Sequence, residues 1–509
     1  MPSADNKRIA KNTLFLYGRM LVVMGVSLYT TRVVLNALGE DNFGIYNIVG
    51  GIVVLFTFIQ NSLSVAIQRY LSVALGEDNK KKFNEFYSSS FYCNIGISFI
   101  LILLGETVGL WFLNYKLNIP IESIYSANIV FQLCLVTSII SLLRIPLEAV
   151  IISHEKMSFY AYLSIIEAAC KLTIAFSISI YTGNRLIFYS ILMAILPFCT
   201  FLWFYYYSHR ILKSKFLFKP NIPNIKSILA FSGWSLLGAI ANVGARQGGN
   251  IIINIFYGVM VNAAVGIANQ VSAAVTSLVG SFQTAFRPQI SKSYAQGNKE
   301  SLNNLVILTS IGSYYILFIF LLPYSINAEY WLKLWLKEVP PYAPSFSILI
   351  LIYSLIDAAQ SPFIFYIYAR GNIRNYQLWL GSLIILNIPL SYLFLRIGYS
   401  PVCVFIIYVS INFISAIIRL WYIKHIENFP TLFYIKKIVS RMILVTLLTV
   451  SLGLIIKSYF SNLQFNFIYS SILIFITCII IIYLIGLPYN YKFIIKNILL
   501  KFLKRKQPV

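Results

Sequence analysis

The feature that most limits what this chain can fold into is the length of its apolar runs. Leu14 to Leu38, Phe91 to Phe112, Ile187 to Tyr207 and Phe467 to Leu487 each reach the roughly 20 residues that a helix needs to cross a bilayer. Hydrophobic residues make up 59% of the 509 positions, charged residues only 11%, and the mean hydropathy is +0.77. A soluble globular chain carries about a quarter charged residues, and one water-soluble core cannot hide this much apolar surface. The runs lack the dyad alternation of an outer-membrane barrel. The fold class is therefore all-α integral membrane.

About fourteen transmembrane helices fit between residues 13 and 487, among them 45–72, 123–150, 228–256 and 343–369. The loop cations test the count. Placing both termini on one side puts 26 Lys and Arg in one set of loops, including Lys80, Lys81, Lys82, Lys215, Lys292 and the tail from Lys492 to Lys506. The opposite set holds six: Lys116, Arg185, Lys333, Lys337, Arg396 and Lys457. Positive-inside bias then makes both termini cytoplasmic in a multi-pass protein of a bacterial inner membrane. The net charge of +24 follows from this topology, so no nucleic-acid partner is expected. The basic tail reads equally as an amphipathic helix on the anionic leaflet or as a solvated segment that only enforces topology.

The polar start, Met1 to Lys11, precedes a run too long for a secretory leader, so the first run reads as an uncleaved span. Six cysteines (Cys93, Cys134, Cys170, Cys199, Cys403 and Cys478) fall in or beside apolar runs without CxxC spacing. They read as small buried side chains, with no disulfide and no metal site expected.

The chain also repeats itself. Ile45 after Gly44, the string Gln68-Arg69-Tyr70-Leu71-Ser72 and Gly76 recur as Ile267 after Gly266, Arg287-Pro288-Gln289-Ile290-Ser291 and Gly297, about 220 residues on. An offset of six spans gives both copies one orientation, hence a parallel repeat about an axis along the membrane normal. The expected organisation is two six-helix lobes, 1–215 and 216–430, facing each other across a cleft. Two additional helices and a basic tail occupy 431–509.

Eight cations remain within or at the edges of the spans, where each costs about 2.5 to 3.5 kcal/mol at the bilayer centre unless paired, snorkelling or wetted. Arg144 has Glu148, and Lys171 has Glu167, at a spacing of four that puts each pair on one helix face. These four read as structural ion pairs. Arg419 lies near a span end and reads as snorkelling. Arg19, Arg32 and Arg246 have no partner on their own helices, and Arg69 and Arg287 close the second span of each repeat. These five arginines are the candidate substrate-binding residues, because a guanidinium in a cleft suits phosphate. Two carboxylates in spans, Glu106 and Asp357, lack a cation neighbour on their own helices and are candidates for coupling to H+ or Na+. The sequence contains no GxxxxGK[ST] loop, HExxH or GxSxG, and no loop long enough for a catalytic domain. Neither an enzyme nor a resident cofactor is expected.

The stretch Ser27-Leu28-Tyr29-Thr30-Thr31-Arg32-Val33-Val34-Leu35-Asn36, followed by Phe43-Gly44-Ile45-Tyr46, resembles the start of the polysaccharide flippases. These are the Wzx-like, O-antigen-type members of the MATE-related multidrug/oligosaccharidyl-lipid/polysaccharide superfamily. Leu63 to Ser72 and Ala285 to Ile290 are similar to the ends of their second and eighth helices. The resemblance implies alternating access by two lobes. It implies transfer of an undecaprenyl-diphosphate-linked oligosaccharide from the cytoplasmic to the periplasmic leaflet, for surface polysaccharide and lipopolysaccharide synthesis. Expected partners are that lipid-linked oligosaccharide, membrane lipids, and a glycan polymerase or glycosyltransferases acting on the same product. The alternatives are a cation-coupled multidrug exporter of the MATE branch, a lipid II flippase and, outside transport, a membrane glycosyltransferase or ligase.

Overall fold

A computed structural model describes residues 3–39, 42, 45–46, 49, 57–115, 121–336, 339–459 and 466–488, and these contain helices, turns and loops but no strand. In chain order the helices are α1 (Ser3–Leu38), α2 (Thr57–Gly76), α3 (Lys80–Tyr115), α4 (Ile121–Ser153) and α5 (Met157–Ile180). They continue with α6 (Arg185–Ile211), α7 (Ile222–Gly258), α8 (Val261–Ala295), α9 (Lys299–Ile326) and the short α10 (Ala328–Leu336). Last come α11 (Ala343–Arg370), α12 (Arg374–Arg396), α13 (Val402–Glu427), α14 (Thr431–Tyr459) and α15 (Phe467–Gly486). Among the described residues, thirteen helices are long and apolar enough to span a membrane. The chain is a multi-pass membrane protein. The span expected at 45–72 is described mainly by α2; Gly44 and the tail from Lys492 to Lys506 lie outside the described residues.

Asparagines start several of these helices by accepting a backbone N–H that the first turn leaves unsatisfied. Asn79 accepts from Lys82, Asn184 from Ile187, Asn221 from Asn224 and Asn298 from Ser301. The turns between helices carry a regularity that residue strings show only in part. Left-handed residues occur at Gly39, Asp78, Glu155 and Lys213, and again at Gly258, Gly297, Gly371 and Asn428. The four pairs share an offset of about 215 to 220 residues, as a duplicated chain requires. The register they set pairs Gly297 with Asp78, two residues from the Gly76 that string matching selects.

By contacts the chain forms two compact units. Unit 1 comprises Met1–Ile240, Thr284–Leu302 and Phe365–Leu378; unit 2 comprises Ala241–Gln283, Asn303–Ile364 and Trp379–Val509. In unit 1 a core gathers around the end of α1, with Val34, Leu38, Leu113, Phe131, Ile178 and Leu186. In unit 2 a core gathers around the end of α7, with Ile252, Ile253, Val265, Phe346, Leu395 and Phe405. Within unit 2, α14 and α15 pack on α9 and α10. Asn327 bonds to Ser470 and Ser471, Trp331 to Ser471 and Tyr314 to Thr446, so side-chain hydrogen bonds specify a contact that apolar area alone leaves undirected.

Candidate functional site

Each unit holds a cluster of charged side chains within its helices. In unit 1, Lys171 Nζ stands 3.0 Å from Glu167, and Arg144 reaches Glu167 at 3.5 Å and Glu148 at 3.9 Å. The two four-residue pairs thus become one network. Arg144 also donates to the Thr200 hydroxyl at 3.0 Å. Arg19 joins from α1: Nη2 donates to the Tyr160 hydroxyl at 3.3 Å, and the guanidinium lies 4.6 Å above that ring. Tyr160 in turn lies within electrostatic range of Glu148. Sequence spacing leaves Arg19 without a partner; the fold supplies one from α5. Its Nε stays buried with no acceptor among the described residues. Three cations share two carboxylates, so the network remains cationic.

In unit 2, Arg246 on α7 is exposed and lies within electrostatic range of the Tyr408 hydroxyl on α13. Asp357 on α11 lies within electrostatic range of Arg246 and Arg419, and Tyr353 packs on Tyr408 with ring centroids 4.8 Å apart. With no neighbouring cation on its own helix, Asp357 has its electrostatic partners on two other helices. Arg419 does not snorkel. It is 4% exposed, because its position on α13 turns it inward. The cation and the carboxylate that the sequence assigns to separate tasks, Arg246 and Asp357, share one cluster.

The remaining candidates separate. Arg32 is exposed on α1 and makes no hydrogen bond or ion pair among the described residues. Glu106, also exposed, sits in a π-helical turn of α3 (Gly105–Gly109) and accepts from Gln132 at 3.2 Å. Arg69 is engaged at the end of α11: Nε donates to Tyr368 O at 2.8 Å and Nη2 to Ala369 O at 3.0 Å. A helix leaves its last carbonyls unsatisfied and partly negative, so a guanidinium fits there. Gly371 makes room for it: its φ is +95°, and a Cβ would strike the guanidinium. Arg287 lies over the Phe365 ring at 5.3 Å.

Sequence reasoning missed Glu155, whose side chain is fully buried. It accepts from Lys292 Nζ at 2.7 Å and from Gln289 Nε2 at 2.9 Å, linking the α4–α5 turn to the end of α8 inside unit 1. Beside it, desolvation holds the His154 imidazole below its usual range. His154 is therefore neutral near pH 7 and does not compete with Lys292 for the carboxylate. The one signal in the sequence is an acid set between His154 and Lys156 in a three-residue turn.

No protein-family model matches the chain, and no curated protein matches it in sequence. Solved structures do. A multidrug-resistance MATE family transporter of the MOP superfamily, in an outward-facing conformation, aligns with a TM-score of 0.71 at 15% identity, over 84% of this chain and 97% of that one. A MATE in the straight conformation gives 0.69 at 14%, over 82% and 95%. A MOP superfamily transporter from Pyrococcus furiosus, whose reverse pocket polarity is taken to suggest a different function, gives 0.69 at 15%, over 82% and 95%. The fold is thus the one seen in the MATE and MOP superfamily transporters. Identities this low establish architecture alone.

Proposed function

We propose that this chain is a flippase that carries a lipid-linked oligosaccharide diphosphate from the cytoplasmic to the periplasmic leaflet by alternating access. It is organised as two six-span repeats, 1–215 and 216–430, with 431–509 added. The observation that carries the reading is charge. Cations outnumber carboxylates in both clusters, and the first span of each repeat presents an exposed guanidinium, Arg32 on α1 and Arg246 on α7. A cationic drug would be repelled by such a set, whereas a diphosphate or an acidic sugar would be held by it. Pocket polarity has been read as a guide to function in the Pyrococcus furiosus protein of this fold, and the same argument serves here.

The unit 2 cluster offers a route to coupling. Substrate phosphate and the Asp357 carboxylate compete for Arg246. A proton or Na+ on Asp357 releases the guanidinium to the substrate, and loss of the ion reclaims it. Only such differential binding between states can drive a cycle.

Deleting the gene should leave the lipid-linked glycan facing the cytoplasm and deplete a surface polysaccharide, with drug susceptibility little changed. Accessibility of the glycan in spheroplasts and dye sensitivity are the measurements. Sensitisation to cationic dyes with a normal surface glycan would replace this reading with the multidrug exporter. Cysteine labelling at Asn79, at Lys215 and at the C-terminus should report the cytoplasmic side at all three sites. Labelling of Lys215 from the periplasm would refute the arrangement of the repeats.

A further inference from the structure

Residues 212–220, between α6 and α7, are not helical, yet they are firmly held. Asn84, Ser88 and Tyr92 recur every four residues and so share one face of α3, and all three bind this segment's backbone. Asn84 accepts from Lys215 N at 3.0 Å, Ser88 accepts from Leu217 N at 2.7 Å, and Tyr92 donates to Phe218 O at 2.6 Å. Ser214 is buried and donates to Ser208 O at 2.8 Å. Phe216 turns inward against Phe91 and Tyr92. With the backbone fixed this way, Lys213, Lys215, Leu217, Phe218 and Lys219 are left facing out, and Phe218 is 87% exposed.

The neighbourhood is cationic and interfacial. Arg210 and Lys226 are exposed on either side, and no Asp or Glu occurs in sequence between Glu167 and Glu300. Glu85 on α3 is occupied by Asn221, which donates to it at 3.2 Å. Trp203 and Tyr206, exposed on the last turns of α6, mark the aromatic belt that forms where a membrane meets water. Topology alone accounts for lysines here. It does not account for an exposed phenylalanine among them, nor for three side-chain hydrogen bonds that fix their direction.

We propose that residues 213–219 form a fixed strap that binds anionic phospholipid headgroups of the adjoining leaflet. The lysines meet lipid phosphates, and Leu217 and Phe218 enter the acyl boundary.

The test uses the purified full chain with the F218W substitution, in nanodiscs of phosphatidylcholine containing rising fractions of brominated phosphatidylglycerol. Emission is compared with that of the seven native tryptophans. The introduced indole should be quenched by brominated phosphatidylglycerol and far less by brominated phosphatidylcholine. Adding Lys213→Gln, Lys215→Gln and Lys219→Gln should raise the phosphatidylglycerol needed for half-quenching by roughly tenfold or more. A control with Lys80→Gln, Lys81→Gln and Lys299→Gln should not. Equal quenching by the two lipids, or no shift in the strap variant, would overturn the proposal. So would soluble pyrophosphate that binds in the absence of lipid and is lost in the strap variant, because that outcome assigns the lysines to a free polyphosphate. The F218W chain keeps every lysine, so the lipid comparison stands even if the triple change impairs assembly.

Discussion

Arg246→Ala should reduce flipping per molecule of membrane-inserted protein by roughly ten- to a hundredfold, the loss expected when a charge-assisted hydrogen bond to an anion is removed. Arg246→Lys should retain part of the activity, since the charge remains but the planar fork does not. The guanidinium is exposed, with the Tyr408 hydroxyl within electrostatic range and no ion pair to an acid on its own helix among the described residues. It is therefore positioned to exchange partners. Asp357→Asn should reduce transport and its dependence on the ion gradient without lowering abundance. Arg19→Ala and Arg32→Ala belong in the same series, with Lys82→Ala as the surface comparison, whose exposed pair with Glu77 contributes little. If alanine at Arg19, Arg32 and Arg246 is tolerated as well as at Lys82, the mechanism in which cationic side chains hold an anionic substrate fails. A purely structural arginine predicts the opposite split: less protein, with unchanged activity per molecule.

Glu155→Ala should destabilise the chain by about 3 kcal/mol, the low end of the penalty for leaving a buried charge uncompensated, because the Lys292 side chain is still 20% exposed. Thermal unfolding of the full chain in detergent is the measurement. Combining Glu155→Ala with Lys292→Met removes both charges and should restore most of the loss. A double variant as unstable as the single one would show that the turn itself, and not the ion pair, depends on Glu155. Gln289, which shares the carboxylate at 2.9 Å, becomes the acceptor-deprived group in either variant and sets the residual difference.

What sequence made legible here follows from how far each interaction reaches along the chain. Run lengths mark membrane helices because a bilayer imposes a minimum span on any helix within it. A spacing of four brings Lys171 to Glu167, since that contact lies within one helix. The link that makes those pairs a network, Arg144 to Glu167, crosses from α4 to α5 and has no periodic signature. The electrostatic partners of Asp357, Arg246 and Arg419, lie on α7 and α13 and have no periodic signature either. A place near a helix end suggests snorkelling for Arg419, but which way a side chain points depends on the packing of the whole unit. Glu155 is the extreme case. An acid in a polar turn looks solvated in sequence, and only the return of α8 beneath it reveals that it is sealed from water.

The recurring left-handed turns also say something about the history and tractability of this chain. In the later copy the turns use Gly297, Gly371 and Asn428, residues suited to positive φ; the earlier copy asks Asp78, Glu155 and Lys213 to adopt the same backbone. For Glu155 the buried bonds to Lys292 and Gln289 explain why a side chain persists there. Asp78 and Lys213 are exposed, so the conformational penalty, about 1 kcal/mol at each position, has no such offset. Each half of the molecule thus serves as a design template for the other. Anyone seeking a hardier version for purification could transplant turn chemistry from the second copy into the first at Asp78 and Lys213, and leave Glu155 alone.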